Sequence, residues 1–83
     1  MSEWILYIIE CRDGSLYTGI TVDLEKRLKR HNEGRASKYT RARKPVVLRY
    51  KEVLNNESLA RKREAEIKKL SRHSKLRMIR NKI

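Results

Sequence analysis

Five side chains stand out for the chemistry they could perform: Tyr7, Tyr17, Arg27, His31 and Glu64. Tyr7 and Tyr17 lie on either side of the turn-forming Arg12-Asp13-Gly14. A tyrosine in a strand is ordinary, since it is a good strand former. Two on one face beside Gly19 would be less so, because a glycine inside a strand often marks the close approach of another backbone or a ligand, which makes Gly19 a candidate for contact with nucleic acid. Arg27 and His31 are separated by one helical turn and share a stripe. Arg offers a planar fork that fits a phosphate, and His exchanges a proton near neutral pH. On a basic helix such a pair can also be no more than a solvated face. Glu64 lies in Leu59-Ala60-Arg61-Lys62-Arg63-Glu64-Ala65-Glu66-Ile67. It can pair with Lys68 along the helix, or offer a hard oxygen to Mg²⁺. Glu64 and Glu66 flank opposite edges of the apolar stripe Leu59, Ala60, Ile67 and Leu70, and periodicity does not choose between them.

A second group is the segment 34–45, with Arg35, Lys38, Arg41, Arg43 and Lys44 around a single aromatic, Tyr39. It reads as a loop. Lys38, Arg41, Arg43 and Lys44 are candidate clamps on a phosphate backbone, with Tyr39 available for stacking. The whole chain carries 22 Lys and Arg against 10 Asp and Glu, a formal net charge of +12 over 83 residues. Such an excess repels itself in the compact state and concentrates polyanions nearby. Nucleic acid is therefore the expected partner, bound with release of counterions. Attraction to a membrane surface would call for an aromatic, amphipathic helix, and the C-terminal segments contain no aromatic residue. No apolar run is long enough to span a membrane, and the first residues do not read as a signal peptide. The single cysteine, Cys11, excludes an intrachain disulfide and reads as a small buried hydrophobe. A cytoplasmic, reducing location is expected. Zinc-type clusters, nucleophilic triads and glycine-rich phosphate loops find no matching residue sets.

The elements that must position these residues follow from pattern. Trp4 to Cys11 and Ser15 to Thr21 read as two strands of a hairpin. A two-residue loop would put Tyr7 and Tyr17 on opposite faces. A three-residue loop, Arg12 to Gly14 with Gly14 left-handed, is the one expected; it pairs Tyr7 with Gly19 and Tyr17 with Ile9, so both tyrosines point the same way. A helix follows, capped by Asp23 or Thr21, running to about Glu33 and stopping at Gly34. Leu24 and Leu28 face its core side, and the Arg27/His31 stripe lies at the rim of that core. Val46 to Val53 is a third strand, Glu57 or Ser58 to about Leu70 a second helix, and Arg72 to about Asn81, capped by Ser71, a third. The expected architecture is a single α+β domain over residues 1–83, a three-stranded antiparallel sheet flanked by helices in the order β-β-α-β-α-α.

The ordered set resembles the GIY-YIG nucleases. Ile5-Leu6-Tyr7 stands where that family has its first tripeptide, with Ile5 in place of glycine. Tyr17-Thr18-Gly19 stands at the second. Gly19-Ile20-Thr21-Val22-Asp23-Leu24, Lys26-Arg27-Leu28 and His31-Asn32 continue the pattern, and Glu64 falls at its acidic position. The likeness is greatest to small stand-alone bacterial members. It implies hydrolysis of a DNA phosphodiester with a single Mg²⁺ or Mn²⁺ held by Glu64. It further implies proton removal from water assisted by Tyr7 beside Tyr17, stabilisation of the phosphoryl centre by Arg27, and a phosphate contact or proton relay at His31. By the same resemblance the activity would be structure-selective or weakly specific and serve repair or recombination. A protein partner would supply targeting. A non-catalytic module that only binds nucleic acid, DNA or RNA, is the other reading of the same residues. An adaptor that recruits a partner nuclease is a third.

Overall fold

The computed structural model describes residues 3–81. Strand β1 (Trp4–Cys11) is the centre of a three-stranded antiparallel sheet, with β2 (Leu16–Thr21) and β3 (Val46–Leu54) on its two sides. Helix α1 (Leu24–Asn32) and a single turn α2 (Lys38–Arg41) precede β3. Helices α3 (Glu57–Lys68) and α4 (Arg72–Asn81) follow it. The α+β architecture is the expected one, with the one-turn α2 added inside the segment expected to be a loop. Ser37 caps that turn through its hydroxyl on the Tyr39 N–H.

The hairpin has the three-residue connection. The Cys11 amide donates to the Ser15 carbonyl at 2.8 Å, the Gly14 amide to the Cys11 carbonyl at 2.9 Å, and Gly14 has a φ of 87°. That angle belongs to the left-handed region, where a side chain is strained. The register that results sets Tyr7 opposite Gly19 and Tyr17 opposite Ile9.

Side chains alternate across β1 and make two cores. Tyr7, Ile9 and Cys11 pack with Val46 under Leu24 and Leu28 of α1. Leu6 and Ile8 pack with Ile67 of α3 and with Met78 and Ile79 of α4. The sheet is thus a middle layer. Strand β3 carries a bulge at Arg49: Ile8 pairs with Tyr50, but Ile9 pairs with Leu48. The extra residue switches the faces, so that Leu48 joins the α1 side and Tyr50 the α3 side.

Two expectations need correction. Ala60 and Ile67 of the α3 stripe are buried, but Leu59 and Leu70 are exposed: Leu59 sits in the first turn of α3, and Leu70 lies beyond its last residue, where the helical spacing no longer sets its face. His31 is fully buried rather than at the core rim. The α2 turn covers it from the side that an extended loop would have left open.

Candidate functional site

The site starts from the close approach at Gly19. A Cβ built there would stand 2.5 Å from the Tyr7 Oη and 2.7 Å from its Cζ. The phenol ring therefore lies across β2 at the one residue that leaves it room. Tyr17, two residues before Gly19, shows its ring on the same face.

Helix α1 delivers the next two groups. Asp23 caps it by accepting from the Lys26 N–H at 3.0 Å. Leu24 and Leu28 dock it onto the tyrosine face, and this fixes the rotation that aims His31 at the sheet. His31 Nε2 lies 2.9 Å from the Tyr7 Oη, and His31 Nδ1 lies 2.8 Å from the Thr40 Oγ1 on α2. Tyr7, His31 and Thr40 are all fully buried. Their protonation follows from the surroundings. Burial, then the neighbouring phenol of Tyr17, push the Tyr7 pKa up to about 12; the Glu64 carboxylate adds to this and Arg27 opposes it. Burial, then the Arg27 charge, push His31 down to about 4. A protonated phenol and a neutral imidazole fit one hydrogen pattern. Tyr7 donates to Nε2, Nδ1–H donates to Thr40, and the Thr40 hydroxyl turns toward the Ser37 carbonyl at 3.4 Å. Ring contacts extend the group outward: His31 to Tyr17 at 5.3 Å between centroids, and Tyr17 to Tyr39 at 5.9 Å.

Arg27 is half-buried, and its charge acts on both Tyr7 and His31. Glu64 and Glu66 separate cleanly. The Glu64 side chain is 20% exposed, pairs with the Lys68 Nζ at 3.1 Å, and its charge reaches Tyr7. The Glu66 side chain is 54% exposed and pairs with Arg63, which is bound chiefly to Glu52 on β3. The cationic segment divides as well. Arg41 Cγ and Lys44 Nζ would each lie 3.3 Å from a Cβ at Gly34, so both gather at the C-terminal end of α1. Lys38 is exposed. Arg43 is engaged by the hairpin turn: its Nε meets Asp13 at 3.1 Å, and its guanidinium carbon sits 4.1 Å from the Tyr39 ring centre. Tyr39 thus already carries Arg43 and Tyr17 as ring neighbours, although it remains 38% exposed.

Thr40 is the residue that sequence reading missed. It joined a run read as loop, and its hydroxyl has no role until α2 folds it against His31. The signal available was Ser37, a helix-capping residue at the head of Lys38-Tyr39-Thr40-Arg41.

Among the described residues no three His, Cys, Asp or Glu side chains gather as a metal cage. The donor set fits a hard, water-rich ion instead. One carboxylate, Glu64, is part-buried and paired with Lys68, and its charge reaches the phenol; Mg²⁺ commonly uses one or two carboxylates, waters and substrate phosphates. No helix of the described residues is long and apolar enough to cross a membrane.

Comparison with known proteins agrees with this fold. A UPF0213 protein of Staphylococcus saprophyticus is 51% identical over 79 residues, covering 95% of this chain and 96% of the relative. One from Staphylococcus aureus is 46% identical over 82 residues, covering 99% and 100%. The solution NMR structure of a UPF0213 protein from Bacillus halodurans matches with a TM-score of 0.63 at 40% identity, over 96% of this chain and 85% of that one. A solution NMR structure from E. faecalis matches with a TM-score of 0.66 at 39% identity and the same coverage. The family model described as the GIY-YIG catalytic domain matches residues 3–77, a span that holds Tyr7, Tyr17, Arg27, His31 and Glu64 in order, and the chain belongs to that family of nucleases.

Proposed function

We propose that the protein is a divalent-metal-dependent endonuclease that hydrolyses DNA phosphodiester bonds, reading DNA structure more than base sequence, in repair or recombination. The observation that carries this reading is the convergence on one sheet face of Tyr7, Tyr17, Arg27 and His31, within the field of Glu64. Weak sequence dependence is supported by the kind of side chain on offer. Lys38, Arg41 and Lys44 address phosphates, and phosphate contacts position a strand without reading it.

Each residue has a part in this reading. Arg27 provides fixed positive charge where the phosphoryl oxygens gain negative charge. Tyr7 has its proton aimed at the free lone pair of His31 Nε2, 2.9 Å away, so His31 is the acceptor for that proton. Tyr7 Oη, once relieved of it, takes a proton from the attacking water as that oxygen bonds to phosphorus and the P–O bond to the leaving oxygen breaks. The leaving oxygen takes its proton from solvent, and His31 returns its own to solvent. Thr40 holds the His31 ring in the tautomer that leaves Nε2 open. Glu64 would hold Mg²⁺ or Mn²⁺, which when bound would supply positive charge that favours the phenolate and offsets charge on the phosphoryl oxygens. Tyr17 packs between His31 and Tyr39 and keeps the phenol's surroundings dry.

One observation favours a second reading, a module that binds nucleic acid without cutting it. Tyr7 and His31 are fully buried, and at rest the phenol keeps its proton and the neutral imidazole resists taking one. The two readings separate in one experiment. Branched, nicked and single-stranded DNA are incubated with the protein in Mg²⁺ or Mn²⁺, beside Glu64→Ala, Arg27→Ala and Tyr7→Phe. The endonuclease reading expects cleavage that falls by about 10²–10³ in Arg27→Ala, the scale for removing one charge-stabilising group. Binding with no cleavage in either metal supports the module. Activity that survives Glu64→Ala but not Glu66→Ala overturns the assignment of the metal ligand.

A further inference from the structure

The candidate chemistry makes no use of the region between the hairpin turn, α2 and the start of α4. A cavity of about 250 Å³ opens there, lined by Ser15, Leu16, Tyr39, Arg72 and Lys75. Two cations and no carboxylate line it. The two cavities along α1 are different, with Asp23 and Glu25 in one and Glu33 in the other. Arg72 is already held in place, since its Nη1 donates to the Gly14 carbonyl at 2.7 Å. The acid next to that turn, Asp13, is taken up by the Ser15 hydroxyl at 2.6 Å and the Arg43 Nε at 3.1 Å. Lys75 has no acidic partner among the described residues, and no Asp or Glu follows Glu66 in the sequence. The cavity also adjoins the candidate catalytic group: Tyr39 lines it, and its ring contacts Tyr17, which in turn contacts His31.

We infer that this cavity is a phosphate-binding subsite, in which Arg72 and Lys75 hold a backbone phosphate that flanks the bond presented to Tyr7, Tyr17 and Arg27. The inference rests on the nucleic-acid reading above and adds to it the side on which the strand leaves the site. A pre-oriented guanidinium offers a fork to two phosphate oxygens, and a lysine adds a point charge. Together they anchor the strand where the hairpin turn, α2 and α4 meet. A strand held there passes over Tyr39 and Tyr17 on its way to the catalytic group.

The test uses a fluorescein-labelled nicked DNA duplex and anisotropy titrations between 50 and 200 mM KCl. The variants are Lys75→Ala, Arg72→Ala and, as a matched loss of charge, Arg77→Ala, which lines a different cavity on α4. One lost phosphate contact reduces the slope of log affinity against log salt by about 0.9. That reduction is expected for Lys75→Ala and Arg72→Ala and not for Arg77→Ala. A single methylphosphonate at a phosphate flanking the nick is expected to weaken binding by the wild type and to have no further effect on Lys75→Ala. Wild-type protein that shows no salt-dependent binding overturns the nucleic-acid reading and the subsite with it. Salt-dependent binding with an unchanged slope in Lys75→Ala, or an equal loss in Arg77→Ala, overturns the subsite alone. Lys75 makes no bond that its removal would break, so this variant decides the matter even if Arg72→Ala loosens the hairpin turn.

Discussion

At the scale of single residues, the site depends on a chain of hydrogen bonds in which each buried member has a partner. Tyr7, His31 and Thr40 are fully buried and bonded in series. Thr40→Val keeps the shape but strands the His31 Nδ1–H, at a cost of about 1–3 kcal/mol. Thr40→Ser restores the acceptor. We expect the thermal midpoint to fall in the valine variant and recover in the serine variant, with the ¹⁵N shifts of His31 reporting a loss and return of the Nδ1–H tautomer. Equal tautomer populations in all three proteins would remove Thr40 from this role. His31 also links stability to pH. Its ordinary value is 6.5 and burial takes it to about 4, so between these values the unfolded chain binds a proton that the folded one does not. Stability is therefore full above pH 6.5 and declines as pH falls toward 4, by about 3 kcal/mol over the window. His31→Gln should flatten this decline. Urea unfolding at pH 7 and pH 4.5 measures the difference.

At the scale of elements, the question is what holds α1 at the angle the site needs. Leu24 and Leu28 provide the packing, but a polar tether sets the end of the helix. Asn32 Oδ1 accepts from the Val46 N–H at 2.7 Å, and Asn32 Nδ2 donates to the Val46 carbonyl at 3.4 Å. The last residue of α1 is thereby bonded like a short strand to the start of β3. Asn32→Ala removes both bonds next to a buried valine, and we expect a loss of about 1–3 kcal/mol. For a domain of this size each kcal/mol lowers the thermal midpoint by about 4–8 °C. A midpoint unchanged in a calorimetric scan would show that packing alone fixes α1. On the other side of the sheet, Arg63 of α3 binds Glu52 of β3, and Tyr50 bonds the same carboxylate. This network holds α3 to β3 one residue before Glu64.

At the scale of the whole molecule, charge competes with compactness. The chain packs a net +12 into extents of 31 × 28 × 22 Å. Screening reaches about 30 Å at 0.01 M salt and about 8 Å at 0.15 M. At low salt, therefore, nearly every cation feels every other. The ion pairs of the fold, such as Arg49–Glu10 at 2.8 Å and Arg63–Glu52 at 2.9 Å, are contacts that survive screening. Long-range repulsion does not survive it. We expect the thermal midpoint to rise between 0.01 and 0.15 M NaCl, a sign opposite to that of a protein stabilised by surface ion pairs. A falling midpoint in a salt series would reverse this ranking.

The sequence by itself determined the elements and most of the site. Turn chemistry at Asp13-Gly14 set the hairpin register, and with it the shared face of Tyr7 and Tyr17. Helical spacing put Arg27 and His31 on one stripe, and the excess of cations pointed to a polyanion. These are local properties, fixed by neighbours along the chain. The tertiary structure decided what depends on distant partners. Periodicity alone leaves Glu64 and Glu66 equivalent; they part only when α3 docks through Ala60 and Ile67 and brings the Glu64 charge within reach of Tyr7. The stripe does not say how deep His31 lies, because α2 and Thr40 close over it from another part of the chain. The bulge at Arg49 has no local signature either, because it is a mismatch between two strands rather than a property of one.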